Sequence, residues 1–173
     1  MDLLIVRHAI AEERATFSKT GKDDAERPLT PEGHRKFRRG ARGLRQLVPS
    51  MDVLATSALA RAVETAEILR KTYLMDGTVR LDELEPGANP AALVPWLRKQ
   101  RRRHVVAVVG HEPHLSSLIE YLLTEHLLTG DVCGFVDLKK GGACLLGLGG
   151  DPQPGHTELR WLLTASQLRS LDR

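Results

Sequence analysis

A chain of 173 residues is long enough for one compact domain that buries roughly 70% of the surface its unfolded form would expose. Its 25 Lys and Arg against 22 Asp and Glu leave a formal charge of +3, too mild to imply a nucleic acid or a membrane surface and suited to an anionic substrate. No apolar run approaches the ~20 residues of a membrane-spanning helix, residues 3–6 are too short for a secretory h-region, and Cys133 and Cys144 read as free thiols, so a soluble, cytoplasmic protein is expected.

Residues 3–6 (LLIV) predict a strand buried on both faces that ends at Arg7 and His8. A charged loop follows as far as Thr30-Pro31-Glu32, where the threonine is placed to cap a helix that begins with proline. Phe37, Ala41, Leu44 and Val48 keep helical spacing and share one face, with Arg35, Arg38, Arg39 and Arg42 turned to solvent. Residues 53–55 predict a short strand, and Ser57 is placed to cap a second helix carrying Leu59, Ala62, Ala66, Leu69 and Tyr73. Residues 78–81 read as a strand, and Asn89-Pro90 starts a helix with Leu93 and Leu97. The clearest strand is residues 105–109 (VVAVV), closed by Gly110 and His111 and followed by a helix with Leu115, Leu118, Ile119 and Leu122. Towards the C-terminus, residues 135–138 and 143–146 flank Lys139-Lys140-Gly141-Gly142 and predict a hairpin, with 157–163 as a further strand.

Strands and helices alternate over most of the chain, which predicts an α/β fold in one domain, 1–173, with a mostly parallel sheet and an antiparallel edge strand. In such sheets ligands bind beyond the carboxyl ends of the strands. Arg7-His8 and Gly110-His111 stand at two such ends. Arg61 falls near the start of the helix after the second strand, where free N–H groups and the helix dipole favour an anion. Guanidinium donors match phosphate oxygens in pairs, so two arginines and two histidines brought together would form a pocket for a phosphate dianion. Taken singly, each has a plainer reading as a cap or core residue; the set points to phosphate chemistry.

Three stretches resemble the sequence blocks of the histidine phosphatase superfamily. LLIVRHAIAE is similar to its Arg-His-Gly signature, with Ala9 in the place of the glycine. ATSALARAVETAEIL resembles the second block, in which a serine opens a helix and an arginine precedes alanine and threonine, here Ser57, Arg61, Ala62 and Thr65; Ala58 stands where a proline is usual. VVAVVGHEPHLSSLI resembles the third, a buried strand ending in Gly-His-x-Pro. The blocks keep the family's order, and the short chain with its ERPLTPEG segment at Arg27 is most similar to the SixA-type phosphohistidine phosphatases.

This resemblance implies a three-layer α/β/α sandwich of the phosphoglycerate mutase-like kind and a phosphohydrolase that needs no cofactor or metal. It implies that His8 is the nucleophile and becomes a covalent phosphohistidine, and that Arg7, His8, Arg61 and His111 bind the phosphate. It further implies a general-acid carboxylate after the third strand, for which Glu83 in LDELEPG is the candidate and Glu85 the alternative. A phosphohistidine protein is the favoured substrate and partner, because an imidazole leaves more easily than an alkoxide and tolerates a poorly placed acid. A broad small-molecule phosphomonoesterase is the alternative. Two features stand outside the blocks' chemistry. His111 and His114 in HEPH lack zincin spacing, so no metal site is expected there. The basic run Arg98, Lys99, Arg101, Arg102 and Arg103 reads as a solvated helix end, with a nucleic-acid or acidic-protein binding module as the remote alternative and no membrane partner.

Overall fold

In the computed structural model, which describes residues 1–126 and 134–172, all six strands join one sheet. These are β1 (Asp2–Arg7), β2 (Val53–Thr56), β3 (Val79–Arg80), β4 (Val105–Gly110), β5 (Ala143–Gly147) and β6 (Glu158–Leu163), in the order β3-β2-β4-β1-β5-β6. The first four run parallel, β5 pairs antiparallel with β1, and β6 pairs antiparallel with β5. The expected antiparallel edge is therefore the β5–β6 pair.

The aliphatic runs of β1 and β4 are central because the sheet is covered on both faces. Leu4 and Val6 of β1 with Ala107 and Val109 of β4 point into one core, and Leu3 and Ile5 with Val106 and Val108 point into the other. The first core is closed by α2 (Pro31–Leu47), α3 (Ala60–Tyr73) and α6 (Ala165–Ser170), through Phe37, Ala41, Leu44, Ala62, Ala66, Leu69 and Leu168. The second is closed by α4 (Val94–Lys99) and α5 (His114–Thr124), through Leu97, Leu115, Leu118, Ile119 and Leu122. Burying each such leucine or isoleucine stabilises the fold by about 1.5–3 kcal/mol. The result is the expected three-layer α/β/α sandwich.

The predicted cap of α2 forms as read: the Thr30 hydroxyl accepts from the Gly33 N–H at 2.9 Å and Pro31 occupies the first turn. This cap also braces the chain after β1. Thr30 N–H donates to the Ile10 carbonyl at 3.0 Å, and a Cβ on Gly33 would lie 2.0 Å from that same oxygen. Only a glycine lets the helix start lie so close to the segment that follows His8. Residues 12–28 then form a folded excursion containing α1 (Arg14–Phe17) and two short 3-10 turns, pinned by Arg27 Nη1 to the Glu12 carbonyl at 2.7 Å and by the Leu29 N–H to Glu64 at 2.8 Å.

Four elements differ from expectation. Ser57 does not cap α3; the helix begins at Ala60 behind Leu59, because the Ser57 hydroxyl is committed to a side chain across the sheet end. Residues 135–138 are irregular and form no hairpin arm: the Val136 N–H is taken by the Glu120 carboxylate at 2.7 Å and the Leu138 carbonyl by Arg7 at 2.9 Å, so their backbone groups are satisfied by side chains instead of a strand. The Asn89-Pro90 helix opens as a 3-10 turn, Pro90–Leu93, before α4, with Pro95 tolerated in the first α-helical turn. Beyond β6 the chain adds α6, capped by a reciprocal Thr164–Gln167 box, where Gly43 of α2 permits contact with the Leu168 backbone. Cys144 is a buried free thiol in β5, whereas Cys133 lies outside the described residues. No helix among the described residues is long and apolar enough to cross a membrane.

Candidate active site

Register brings the predicted strand-end residues to one edge. Arg7 of β1 is paired with Gly110 of β4, the His8 N–H donates to the Gly110 carbonyl at 3.0 Å, and the Ser57 N–H donates to the Val109 carbonyl at 3.2 Å. Three strand ends thus stop side by side, with His8 next to His111: their ring centroids are 5.1 Å apart, tilted by 47°.

Both rings are buried, and each has one nitrogen committed. His8 Nδ1 lies 2.7 Å from the Ala9 carbonyl, which can only accept, so Nδ1 carries the proton and Nε2 keeps its lone pair. His111 Nε2 lies 2.6 Å from the Ser57 hydroxyl, and its Nδ1 is buried without a partner among the described residues. Burial pushes His8 from its ordinary 6.5 down to about 4, helped by the nearby positive charge of Arg61, Arg7 and Lys140 and partly opposed by the bond to Ala9. Burial likewise pushes His111 to about 3, with His8, Arg61, His114 and Arg27 adding to the shift. Both imidazoles are neutral at pH 7. The expected NMR result is that their ring protons show no titration between pH 8 and 5.5, and that stability falls as the pH drops from about 6.5 towards 4, where the unfolded chain takes up protons that the folded one refuses. Midpoints near 6.5 for both rings would contradict this.

The two arginines are each held by one arm. Arg7 Nη1 donates to the Leu138 carbonyl at 2.9 Å, and Arg61 Nη1 donates to the Asp24 carbonyl at 3.0 Å and lies 3.3 Å from its carboxylate. The Nε donors of both are buried and unpartnered among the described residues. Arg61 is only 3% exposed, and burial and the Arg27 charge lower its pKa, the usual consequence of packing cations together. Asp24 offsets part of that repulsion. Its carboxylate bridges Arg27 Nε at 2.7 Å, Arg61 and Arg14, and the bond from Arg27 is the main reason its pKa is lowered.

Thr65 ties this arrangement to α3, donating to the Arg61 carbonyl at 2.7 Å and accepting from the Ala9 N–H at 3.1 Å. Ala9 itself is buried in the core, and its φ is negative, so its methyl group is accommodated without strain where the family signature has glycine.

The structure thus brings Arg7, His8, Arg61 and His111 to the same end of the sheet. Glu83 is not joined to them. It is half-buried on the 3-10 turn Asp82–Leu84, whose Leu84 carbonyl faces Gly110, yet neither Glu83 nor Glu85 makes a hydrogen bond or ion pair with the cluster among the described residues. The basic run 98–103 is exposed at the opposite end of β4 from His111 and has no part in the site. His114 is buried with both ring nitrogens unpartnered among the described residues, and no group of three or more potential metal ligands occurs among them. Sequence reasoning missed Asp24, Arg27 and the role of Ser57. The Asp-x-x-Arg-Pro spacing at 24–28 was the available signal, since an arginine fixed before a proline by a carboxylate three residues back is an unusual use of a loop.

Residues 3–89 match the model of the histidine phosphatase superfamily (branch 1). An uncharacterized protein of Picosynechococcus sp. is 32% identical over 148 residues, covering 83% of this chain and 87% of its own. Among solved structures, that of the protein histidine phosphatase SixA complexed with tungstate superposes with a TM-score of 0.80 at 20% identity, covering 97% of this chain and 99% of that one. The α-ribazole phosphatase of Shigella flexneri gives 0.73 at 16% identity, over 95% and 97% of the two chains. At these identities the two structures share the fold. The family match and the sequence relative go further: the chain belongs to the histidine phosphatase superfamily and is a phosphatase.

Proposed function

We propose that the protein hydrolyses phosphohistidine on a partner protein through a covalent phosphohistidine on His8. The observation that carries the reading is the His8 Nδ1–Ala9 bond, which leaves Nε2 as a buried, neutral nucleophile beside Arg7, Arg61 and His111. Nε2 attacks phosphorus as the bond to the leaving group breaks, and the Ala9 carbonyl, accepting from Nδ1–H, stabilises the positive charge that grows on the ring. The unpartnered Nε donors of Arg7 and Arg61 and Nδ1 of His111, protonated when Ser57 donates to Nε2, meet the equatorial oxygens. Water then displaces the phosphoryl group from His8.

The preference for phosphohistidine rests on the leaving group. An alkoxide needs a proton during departure, and Glu83 makes no hydrogen bond or ion pair with the cluster among the described residues. An imidazole departs with far less help. The SixA neighbour carries a protein histidine phosphatase activity in its name, whereas the α-ribazole phosphatase points to a small-molecule ester as the second reading. Turnover of a phosphohistidine-bearing protein is expected to exceed that of a sugar phosphate by at least about 10²-fold in kcat/KM, the lower range of what a general acid contributes. Equal or faster ester hydrolysis would replace this reading with the second.

A further inference from the structure

We propose that the groove between α2 and α3 is a docking site for an acidic helical segment of a partner protein; that this partner is the phosphohistidine-bearing substrate rests on the reading above. α2 carries Arg35, Lys36, Arg38, Arg39, Arg42 and Arg45 against a single acid, Glu32, so its outer side is strongly cationic although the whole chain bears only +3. His34, Arg38, Arg42 and Arg45 follow one another at steps of four, four and three, which sets them along the face of the helix turned towards α3. With Glu64, Glu67 and Lys71 of α3 they wall a groove of about 560 Å³, in which buried Ile68 and half-buried Val63 form an apolar floor.

The charges of the groove are unequally committed. On α3, Glu64 pairs with His34 at 3.1 Å and accepts from the Leu29 N–H at 2.8 Å, while Glu67 is held by Arg70 at 2.7 Å and by Lys71 at 3.4 Å. On α2, Arg42 and Arg39 share the one carboxylate of Asp172, at 2.8 and 3.3 Å. Arg45 donates to the Thr72 carbonyl and lies over the Tyr73 ring, with no carboxylate of its own among the described residues. Arg38 is exposed and makes no ion pair or hydrogen bond among them. The acids are thus neutralised from within and the arginines are not, which leaves a positive stripe able to steer and orient an acidic partner.

The lining selects a protein over a polyanion. Glu64 and Glu67 on the α3 wall disfavour a nucleic-acid backbone or an anionic lipid surface. A helix with carboxylates along one stripe can lay them on Arg38, Arg42 and Arg45 and set its apolar residues on Val63 and Ile68. Arg38 and Arg45 are about 10 Å apart along the axis, two turns, which matches acidic side chains at i, i+4 and i+7. The near end of the groove adjoins the reaction: Glu64 stands one turn after Arg61 in α3, and Gly33, one residue before His34, packs on the Ile10 carbonyl of the segment that leaves His8. A segment seated there is anchored about one helical turn from the phosphate clamp. The basic run 98–103, at the far end of the sheet, lacks that placement.

The experiment uses two synthetic helical peptides of equal length, alike except for glutamates in one and lysines in the other at i, i+4 and i+7, each ending in a histidine that phosphoramidate phosphorylates. By fluorescence anisotropy at low salt, the unphosphorylated glutamate peptide is expected to bind the wild-type protein about tenfold more tightly than the lysine peptide. Arg38→Glu/Arg45→Glu is expected to reverse that preference, which a misfolded chain would not do, while Arg101→Glu/Arg102→Glu leaves it unchanged. Both variants keep the wild-type turnover of p-nitrophenyl phosphate. With the phosphorylated peptides, the glutamate form is expected to show a KM about tenfold lower at similar kcat, an advantage lost in Arg38→Glu/Arg45→Glu. Equal affinity for the two peptides, or a glutamate preference that survives the double reversal, would overturn the docking site. So would binding of duplex DNA or phosphatidylserine vesicles that is tighter than that of the glutamate peptide and lost with the same reversal, or self-association of the wild-type chain that the reversal abolishes. Failure of the phosphohistidine reading has a different signature: the anisotropy preference and its reversal persist, yet neither phosphorylated peptide is turned over faster than p-nitrophenyl phosphate.

Discussion

His8→Ala is expected to lose turnover by a factor on the order of 10⁵ or more, to the level left by binding and electrostatics alone, while its fold survives. The reason lies in the local chemistry. Among the described residues, His8 is the ring whose Nδ1 is fixed by a carbonyl and whose Nε2 is left unprotonated beside two arginines. His111 cannot substitute, because its Nε2 is held by Ser57 at 2.6 Å. Removing one imidazole from a partly polar pocket leaves the aliphatic strand beneath it untouched, since Leu3, Leu4, Ile5 and Val6 are fully buried independently of it. Steady-state assay with p-nitrophenyl phosphate and far-UV circular dichroism check the two halves of the expectation. A folded His8→Ala retaining a tenth of wild-type kcat/KM would remove His8 from the role of nucleophile.

Arg61→Ala is expected to lower kcat by about 10³-fold or more, the range for losing a guanidinium that meets the charge of a transferring phosphoryl group. The loss falls on kcat more than on KM, because that charge is reorganised in the transition state. Arg61→Lys recovers little: a point-charge ammonium cannot both hold the Asp24 carbonyl and present a second donor in a fixed plane. Stability is expected to change less than activity. Arg61 is nearly buried, but Asp24 keeps Arg27 and Arg14 when it is removed. A kcat loss under tenfold would mean that the arginine serves the fold and not the reaction.

The legible part of this protein was the part written in short-range patterns. The aliphatic runs at 3–6 and 105–109 announced two-sided strands, and each led into a histidine that the sheet edge presents. Thr30-Pro31 announced α2 down to its capping bond. Arg7, His8 and His111 drew attention by their place at strand ends and Arg61 by its place at a helix start, together with the family blocks. What stayed hidden depends on contacts between distant segments. The use of Ser57 was decided by His111, 54 residues away, which overrode a local capping preference. The fate of 135–138 was decided by Arg7 and Glu120, side chains with no mark in the local pattern. Asp24 and Arg27 sit in a charged loop that read as solvent-facing, yet the excursion folds back onto α3 and buries Arg27 to 8% exposure. Glu83 was carried by resemblance alone.

The central claim, a phosphoryl group carried on His8 Nε2, is tested most directly by quenching wild-type enzyme during turnover of ³²P-labelled phosphoramidate and locating the label by proteolysis and mass spectrometry. The predicted result is a label stable in alkali and labile in acid, on the peptide containing Arg7-His8-Ala9, and absent from His8→Ala. A label on another residue, or rapid turnover with no labelled protein at any quench time, would contradict it.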